Sequence, residues 1–531
     1  MKSKLLLHFL LLMIIPKISS AQTNLNLSNL QGFDGEPYIA VNPANQNNII
    51  AGWMRGRLDG KIWIATKASF DKGKTWSSIK FMPHDTSING SADVAIAFHK
   101  SGTAYLSWIN FRTSPDTVGA VYIAKSIDGG LTWGIPSKVI EGTEKPDLPF
   151  DRPWIAVDNS GGIHDGDIFV TTMSVYWYIG KHHIYLKTSS DGGNTWSSIK
   201  QVDNTSYSVG SLTASYGAIS IGKDGRAYIA FVSYDVTASP VVRYYCVSTS
   251  NAGLSFQRNV IGRAYVRGAD FTKGWCIKAN PAINNNAILT WVDNRNGDYD
   301  ILLSKTMDGG SNWSTPIRVN DDPKNNGVVQ DMVWADFSPS GSLGISWRDR
   351  RLSGTSDTVP FDFYSAISLD TANTFKPNYR NTSVSNPYFA VPQGNSFIGC
   401  ALSDSTLFVN WGDIRNKPDW DIYTSNTELS SITTSSNRYF KDPETSIELF
   451  PNPANGKINI SFSIPPITKG DEIVIYNSLG KILWKDAISN YQSKKYTQEI
   501  DISDFPNGMY FLYLKSTDSY LKNKTFIKIE Y

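Results

Sequence analysis

Ser69-Phe-Asp71-Lys-Gly73-Lys-Thr75-Trp76 returns as Ser126-Ile-Asp128-Gly-Gly130-Leu-Thr132-Trp133 and again as Ser189-Ser-Asp191-Gly-Gly193-Asn-Thr195-Trp196. Looser copies run from Thr249 to Phe256, with Asn251 in the Asp place, from Thr306 to Trp313, and from Ser368 to Phe375, with Ala372 in the Gly place. A phrase recurring about every 60 residues marks a repeated β architecture, in which each unit buries its apolar face only against its neighbours. The phrase has a local logic. Asp and Ser or Thr side chains bond the backbone of a tight hairpin, and Gly accepts the positive φ found there. The closing aromatic is left to pack on an adjoining sheet.

Each phrase sits in a longer script of short apolar runs separated by turn residues, which reads as four strands. The first pass runs Pro37–Asn42, Asn48–Trp53, Lys61–Thr66 and Ser77–Phe81. Comparable openings stand at Val94–Phe98, Trp154–Val157, Gly217–Ser220, Pro281–Ile283, Val333–Asp336 and Phe397–Cys400, which makes seven openings. The last unit, ending near Ser425, lacks a final strand, and Asn24–Leu30 is placed to supply one and remove the open edge. The phrases resemble the Asp-box repeat of the sialidase-like β-propellers over residues 36 to 428. That resemblance implies boxes on the outer rim that serve folding. The expected fold is all-β: a seven-bladed (alternatively six-bladed) β-propeller followed by a small β-sandwich.

The sandwich is read from a change of script after Asn437. Leu449-Phe-Pro-Asn-Pro453, Gly456–Ser461, Ile473–Gly480, Ile500–Ser503, Pro506–Leu514 and Lys524–Ile529 alternate apolar and polar residues around Asn-Gly and Leu-Gly turns. These motifs resemble the C-terminal sorting domain of the type IX secretion system of Bacteroidetes-type bacteria. The resemblance implies export across the outer membrane to a secreted or surface location, with that machinery as a partner. At the other end, Lys2 and Lys4 precede the apolar run Leu5–Ile15 and the small residues Ser19-Ser20-Ala21, a secretory signal. The expected domains are a signal peptide at 1–21, a propeller at 22–430, a linker at 431–440 and the sorting domain at 441–531. The 531-residue chain carries a formal charge of +2, which gives no electrostatic case for nucleic acid. No later stretch reads as a transmembrane segment. Cys246, Cys276 and Cys400 are too few and scattered for a disulfide framework and read as core residues.

Chemistry in such a ring belongs where the first strands begin near the axis and where the second-to-third loops open on the same face. Glu36, Asp151-Arg152 and Asp331 stand at unit openings, with Asp93 and Lys278 in the second and fifth units. The loops add Arg55, Asn110, His182, His183, Tyr234, Asp235, Arg348 and Arg350. A second phrase ends the second strand: Trp53-Arg55-Arg57, Trp108-Asn110-Arg112, Trp291-Asp293-Arg295, Trp347-Asp349-Arg351 and Trp411-Asp413-Arg415. The last three are followed by Asp300, Asp362 and Asp421 at the third strand. Repetition favours an Arg–Asp lock within each unit over a guanidinium ring that grips an anion.

The resemblance implies three arginines on a substrate carboxylate, a Tyr nucleophile activated by Glu, and an Asp acid–base. The candidates for those roles are Glu36, Asp151 and Asp331 as catalytic residues and Arg57, Arg152 and Arg348 as substrate-binding residues. The chain departs from the family pattern: Arg152 is followed directly by Pro153 in the third unit, and Glu36, Glu141 and Glu144 are the only glutamates before the last unit ends. No cofactor is expected. Asp293, Asn296, Asp298 and Asp300 have oxygens at spacings calcium uses, but such residues also fill hairpin turns. His182-His183 would point to opposite faces of a strand, which argues against a shared metal. The readings are a sialidase-like glycoside hydrolase acting on glycans, a non-catalytic propeller binding glycans or glycoproteins through exposed aromatics such as Trp177, Tyr178 and Trp275, and a scaffold.

Overall fold

The computed structural model describes residues 24–57, 60–83, 90–111, 120–141, 144, 150–174, 183–203, 216–235, 239–265, 274–388, 397–433, 447–462, 472–477, 481–487, 496–516 and 519–530. The expected signal peptide, 1–21, and residues 434–440 of the expected linker lie outside them. The chain divides into two compact units, 1–434 and 435–531.

Among the described residues of the larger unit the strands fall into seven antiparallel groups of four. The first comprises Phe33–Val41, Ile49–Gly56, Ile62–Ser69 and Lys80–Phe81. A single parallel bridge, Ile62 to Gly90, joins it to the second group, which starts at Gly90–Phe98. The later groups start at Phe150–Val157, Ala218–Ile221, Trp275–Ala279, Gln330–Phe337 and Gly399–Leu402. The last holds three strands of its own, and Leu25–Asn26 pairs with Asp421–Glu428 to make the fourth. Each first strand packs beside the next group's first strand, and Gly399–Leu402 packs beside Phe33–Val41, so the succession closes on itself as a propeller.

The fifth opening is displaced from the sequence reading. Its strand is Trp275–Ala279, whereas Pro281–Ile283 forms a turn. The cause is Asn280, whose side chain accepts the Ala282 amide at 2.8 Å and donates to Asn286 at 2.9 Å, turning the chain before the apolar run can extend.

The box hairpins show why the phrase repeats. The Ser69 hydroxyl accepts the Gly73 amide at 2.8 Å and donates to Asp71 at 2.8 Å. Asp71 in turn accepts the Thr75 amide and hydroxyl at 2.9 and 2.6 Å. The same bonds recur around Asp128, Asp191 and Asp370. Glycine is demanded twice over at Gly130: its φ is 92°, and a β-carbon there would lie 2.6 Å from Ile50 of the preceding group. Trp133 donates to Thr66 of that same group at 3.1 Å, so the box ties neighbouring sheets together.

Behind the boxes, Trp53, Trp108, Trp291, Trp347 and Trp411 are fully buried. Their indole N–H groups donate to Asp34, Asn110, Asp293, Asp349 and Asp413 at 2.8–3.1 Å. The second unit, 435–531, has its own core of Ile458, Ile460, Ile473, Ile475, Ile500, Leu512 and Phe526. Its strands form one set around Ile447–Asn455 and Lys457–Phe462 and another around Glu472–Asn477 and Gly508–Ser516, joined by the bridge Ala454 to Lys528. Among the described residues no helix is long and apolar enough to cross a membrane.

Candidate functional site on the propeller axis

Four first strands carry the same irregularity near their start. Register breaks between Gly35 and Tyr38, Ala92 and Ala95, Asp151 and Trp154, and Asp331 and Trp334. At each break one residue adopts a left-handed backbone: Glu36 (φ 47°), Asp93 (57°), Arg152 (50°) and Met332 (54°). These β-bulges re-aim a side chain that a regular strand would direct elsewhere. Holding a non-glycine residue there costs on the order of 1 kcal/mol or more, a strain that persists only where surrounding structure enforces it. Three of the four are charged, and they come from three consecutive groups.

Glu36, Asp93 and Arg152 line one axial void with Pro37, Tyr38, Val94, Pro153, Trp154, Trp334, Phe397 and Ile398. Only about 10 Å³ of it is open to a water-sized body, room for about one water. Its floor is aromatic. Trp154 stacks on Trp334 with ring centres 4.8 Å apart and also meets Tyr38, Tyr216 and Phe397 at 6.0, 5.5 and 5.5 Å.

The charges in this setting are coupled. Asp93 hydrogen-bonds through its side chain to both Glu36 and Asp151. Two carboxyl groups sharing such a bond need a proton between them. Burial, then the Glu36 charge, raises the Asp93 pKa from 3.8 to about 7. Burial and the adjacent Asp93 push Asp151 well above the usual carboxylate range, although Asp151 also accepts the Arg152 amide at 3.0 Å. Burial alone would lower Arg152; the charges of Glu36, Asp151 and Asp93 offset that and leave its pKa raised. The Arg152 guanidinium lies 4.8 Å above the Phe397 ring and 5.8 Å from that of Tyr216. The site is a proton-sharing row of three carboxyls held against one guanidinium.

The structure thus brings together Glu36, Asp151 and Arg152 from the sequence-derived candidates and adds Asp93. Asp331 and Arg348 pair with each other at 2.5 and 2.7 Å, and Asp331 also takes Arg350 at 3.3 Å. Arg57 is exposed, its guanidinium 5.0 Å from the Trp63 ring and 5.3 Å from Phe81. Lys278 faces Asp336 at 3.2 Å. His183 meets Asp203 at 2.9 Å. Trp275, expected to be exposed, is fully buried because it stacks on Tyr216 with ring centres 4.0 Å apart. Arg112, Trp177, Tyr178, His182 and the side chains of Tyr234 and Asp235 lie outside the described residues.

In its last three copies the arginine phrase is a lock. Arg295, Arg351 and Arg415 fork back onto Asp293, Asp349 and Asp413 of their own phrases, with closest contacts of 2.6–2.8 Å. The aspartates opening the third strands are used elsewhere: Asp300 by Arg318 at 2.6 Å and Asp362 by Arg380 at 2.9 Å. A two-residue turn favours the nearer acid over the one beyond the loop. The oxygens of Asp293 and Asp300 considered for calcium therefore already accept bonds from Arg295, Trp291, Arg318 and Asn320.

Comparison with known proteins adds one firm assignment. Residues 448–528 match the family described as the secretion system C-terminal sorting domain. The chain is thus a β-propeller that carries a sorting tail for export. No curated protein matches it. Similar solved structures include the Hadza microbial sialidase Hz136, at 13% identity and TM-score 0.45, over 70% of this chain and 74% of that one. An α-L-arabinofuranosidase from Fusarium graminearum matches at 13% identity and TM-score 0.41, over 64% and 94%. The intramolecular trans-sialidase from Ruminococcus gnavus matches at 12% and 0.38, over 76% and 96%. Likenesses of this strength carry no chemistry to this chain, which has to be argued from its own residues.

Proposed function

We propose that the exported propeller hydrolyses glycosidic bonds of surface or extracellular glycans by carboxyl acid–base chemistry at the axial row. The observation that carries this reading is that left-handed bulges of three successive units deliver Glu36, Asp93 and Arg152 to one void, beside Asp151. Glycoside hydrolysis needs one carboxyl that holds a proton near neutral pH and one that acts ionised. Asp93 is the proton donor to the leaving oxygen. Glu36, held at hydrogen-bond distance from Asp93, is too close to it to act from the opposite face of the sugar. It is the carboxylate that stabilises the positive charge developing at the anomeric carbon, which a water attacks as it loses its proton to the Asp93 carboxylate. Asp151 holds the proton that keeps the row from carrying three negative charges, and Arg152 balances the remaining one.

The sialidase form of this chemistry asks for three guanidinium groups on a substrate carboxylate. Here Arg152 already answers three carboxyls, Arg348 and Arg350 share Asp331, and Arg57 rests on aromatic rings. The hydrolase reading therefore stands apart from the sialidase one. A binding-only propeller is favoured by one observation, the narrowness of the void.

Sugars released from a mixed glycan pool by the mature chain, followed by mass spectrometry, decide between them. Glu36→Gln is expected to lower release by about 10²-fold or more, with unfolding behaviour unchanged. No release from folded wild-type protein, or undiminished release from Glu36→Gln, removes the hydrolase reading. Export is tested separately: a chain ending at residue 440 is expected to stay inside the producing cell, as read by fractionation, while the full chain reaches the surface or medium.

A further inference from the structure

We infer that a glycan seated at the axial row runs outward over the third group of strands and is held there by His183, so that the site takes a chain of at least two sugars; this rests on the glycan-acting reading above. Three observations carry it. The first is position. Phe150 pairs with Ser174, and Ser174 donates its amide to the His183 carbonyl at 2.9 Å. His183 therefore stands at the head of the third strand, at the same end of the sheet as Asp151 and Arg152. Two strand spacings separate it from the first strand, about 10 Å. One sugar ring resting on the mouth of the axial void does not reach so far; a second one does.

The second is how the imidazole is held. Its Nδ1 lies 2.9 Å from Oδ2 of Asp203, whose side chain is fully buried, and Asp203 Oδ1 accepts the Ile184 amide at 2.9 Å. Gln201 Nε2 stands 3.1 Å from the same ring nitrogen. A carboxylate accepts, so Nδ1 carries the proton and Nε2 keeps a lone pair. The side chain is 17% exposed, and Nε2, unlike that of His99, is not a buried atom. It has no partner among the described residues. An oriented, accessible acceptor of this kind suits the proton of a sugar hydroxyl.

The third is that the fold does not ask for histidine here. A backbone bond from the fourth strand marks the equivalent position in several groups: Val202 to Ile184, Met82 to Ile64, Val319 to Ile301 and Asn381 to Phe363, at 2.7–2.9 Å. The residues before those carbonyls are His183, Trp63, Asp300 and Asp362. Arg318 closes Asp300, Arg380 closes Asp362, and Trp63 lies under the Arg57 guanidinium. Asn320 accepts the Ile301 amide at 2.9 Å just as Asp203 accepts that of Ile184, so the fifth group pins its strand head without an imidazole. Of these four positions, histidine stands at the one whose group also supplies Asp151 and Arg152.

The test is a printed glycan array with matched single sugars, disaccharides and trisaccharides, probed with the full mature protein and with His183→Asn, which keeps a donor for Asp203 and removes the atom in the Nε2 place. Binding confined to the longer glycans, weakened about tenfold in a His183→Asn chain that unfolds like the wild type, is the expected result. Single sugars bound as tightly as their longer matches, equal binding by a folded His183→Asn, or no binding to any printed glycan would overturn the inference. The length comparison needs no variant, so it holds if His183→Asn does not fold. The two readings fail differently. Longer glycans bound but never cleaved would sink hydrolysis and leave this inference standing; sugar release undiminished in a folded His183→Asn would do the reverse.

Discussion

Asp93→Asn is expected to stabilise the propeller at pH 8 and to abolish sugar release. The carboxyl titrates near 7 in the folded chain against 3.8 for an ordinary aspartate. A raised acid binds its proton more tightly when folded than when unfolded. Its contribution to stability is therefore complete below about pH 4, declines as pH rises through 7, and is lost above that. At about 1.4 kcal/mol per pH unit, the interval is worth up to about 4 kcal/mol. Asparagine has nearly the same shape, can donate to Glu36 and accept from Asp151, and has no charge to bury. Urea unfolding at pH 4 and pH 8 is the measurement. We expect a gain of about 2 kcal/mol or more at pH 8 and little change at pH 4. A variant less stable at both pH values would mean that the row is a structural bridge and not a strained acid–base device. The combination of gained stability and lost activity is what a functional site held at a cost predicts.

Asp349→Ala is expected to be the most damaging single change in the Trp–Asp–Arg locks. Asp349 is fully buried and accepts the Trp347 indole at 2.8 Å, Arg351 Nε and Nη2 at 3.0 and 2.8 Å, and the Arg351 amide at 2.8 Å. Its loss strands a buried tryptophan donor and leaves Arg351, which stacks 4.3 Å from the Tyr364 ring, with the exposed Asp321 at 2.6 Å, Asn378 at 3.1 Å and the more distant Asp322. Breaking a buried pair on one side costs about 3–5 kcal/mol. Asp349→Asn, which still accepts the indole, should cost less. Urea unfolding followed by tryptophan fluorescence reads both. A loss below about 1 kcal/mol for Asp349→Ala would place the lock among weak surface pairs. Neither change touches the axial row, so sugar release by protein that remains folded should be unaltered.

How much of this was legible beforehand follows from what each residue answers to. The box hairpins were readable because Ser69, Asp71, Gly73 and Thr75 bond within eight residues of one another. The strand script was readable for the same reason, and only the fifth opening was misplaced, where Asn280 turns the chain sooner than the apolar run suggests. The site was half legible. Glu36, Asp151 and Arg152 could be placed near the axis from their positions at unit openings. Asp93 was seen but not joined to them, because its importance comes from bonds to Glu36 and Asp151 in two other groups of strands. The signal available was alignment: Gly35-Glu36-Pro37, Ala92-Asp93-Val94 and Asp151-Arg152-Pro153 occupy one register position in successive units. The bulge that aims all three is a backbone property, and no residue type announces it. Arg57 and Arg348 looked like ligand-binding groups because a sequence shows charge without its partner. Trp63 and Phe81 for one, and Asp331 for the other, become visible only in the fold.

The central claim is that the axial carboxyls share protons near neutral pH. Infrared difference spectroscopy of the mature chain, titrated from pH 5 to pH 9 and compared with Asp93→Asn, measures it directly. The account predicts a protonated-carboxyl band in the wild type, one component of which fades through about pH 7 and is missing from the variant. A wild-type chain whose carboxyls are all ionised by pH 5 would contradict it.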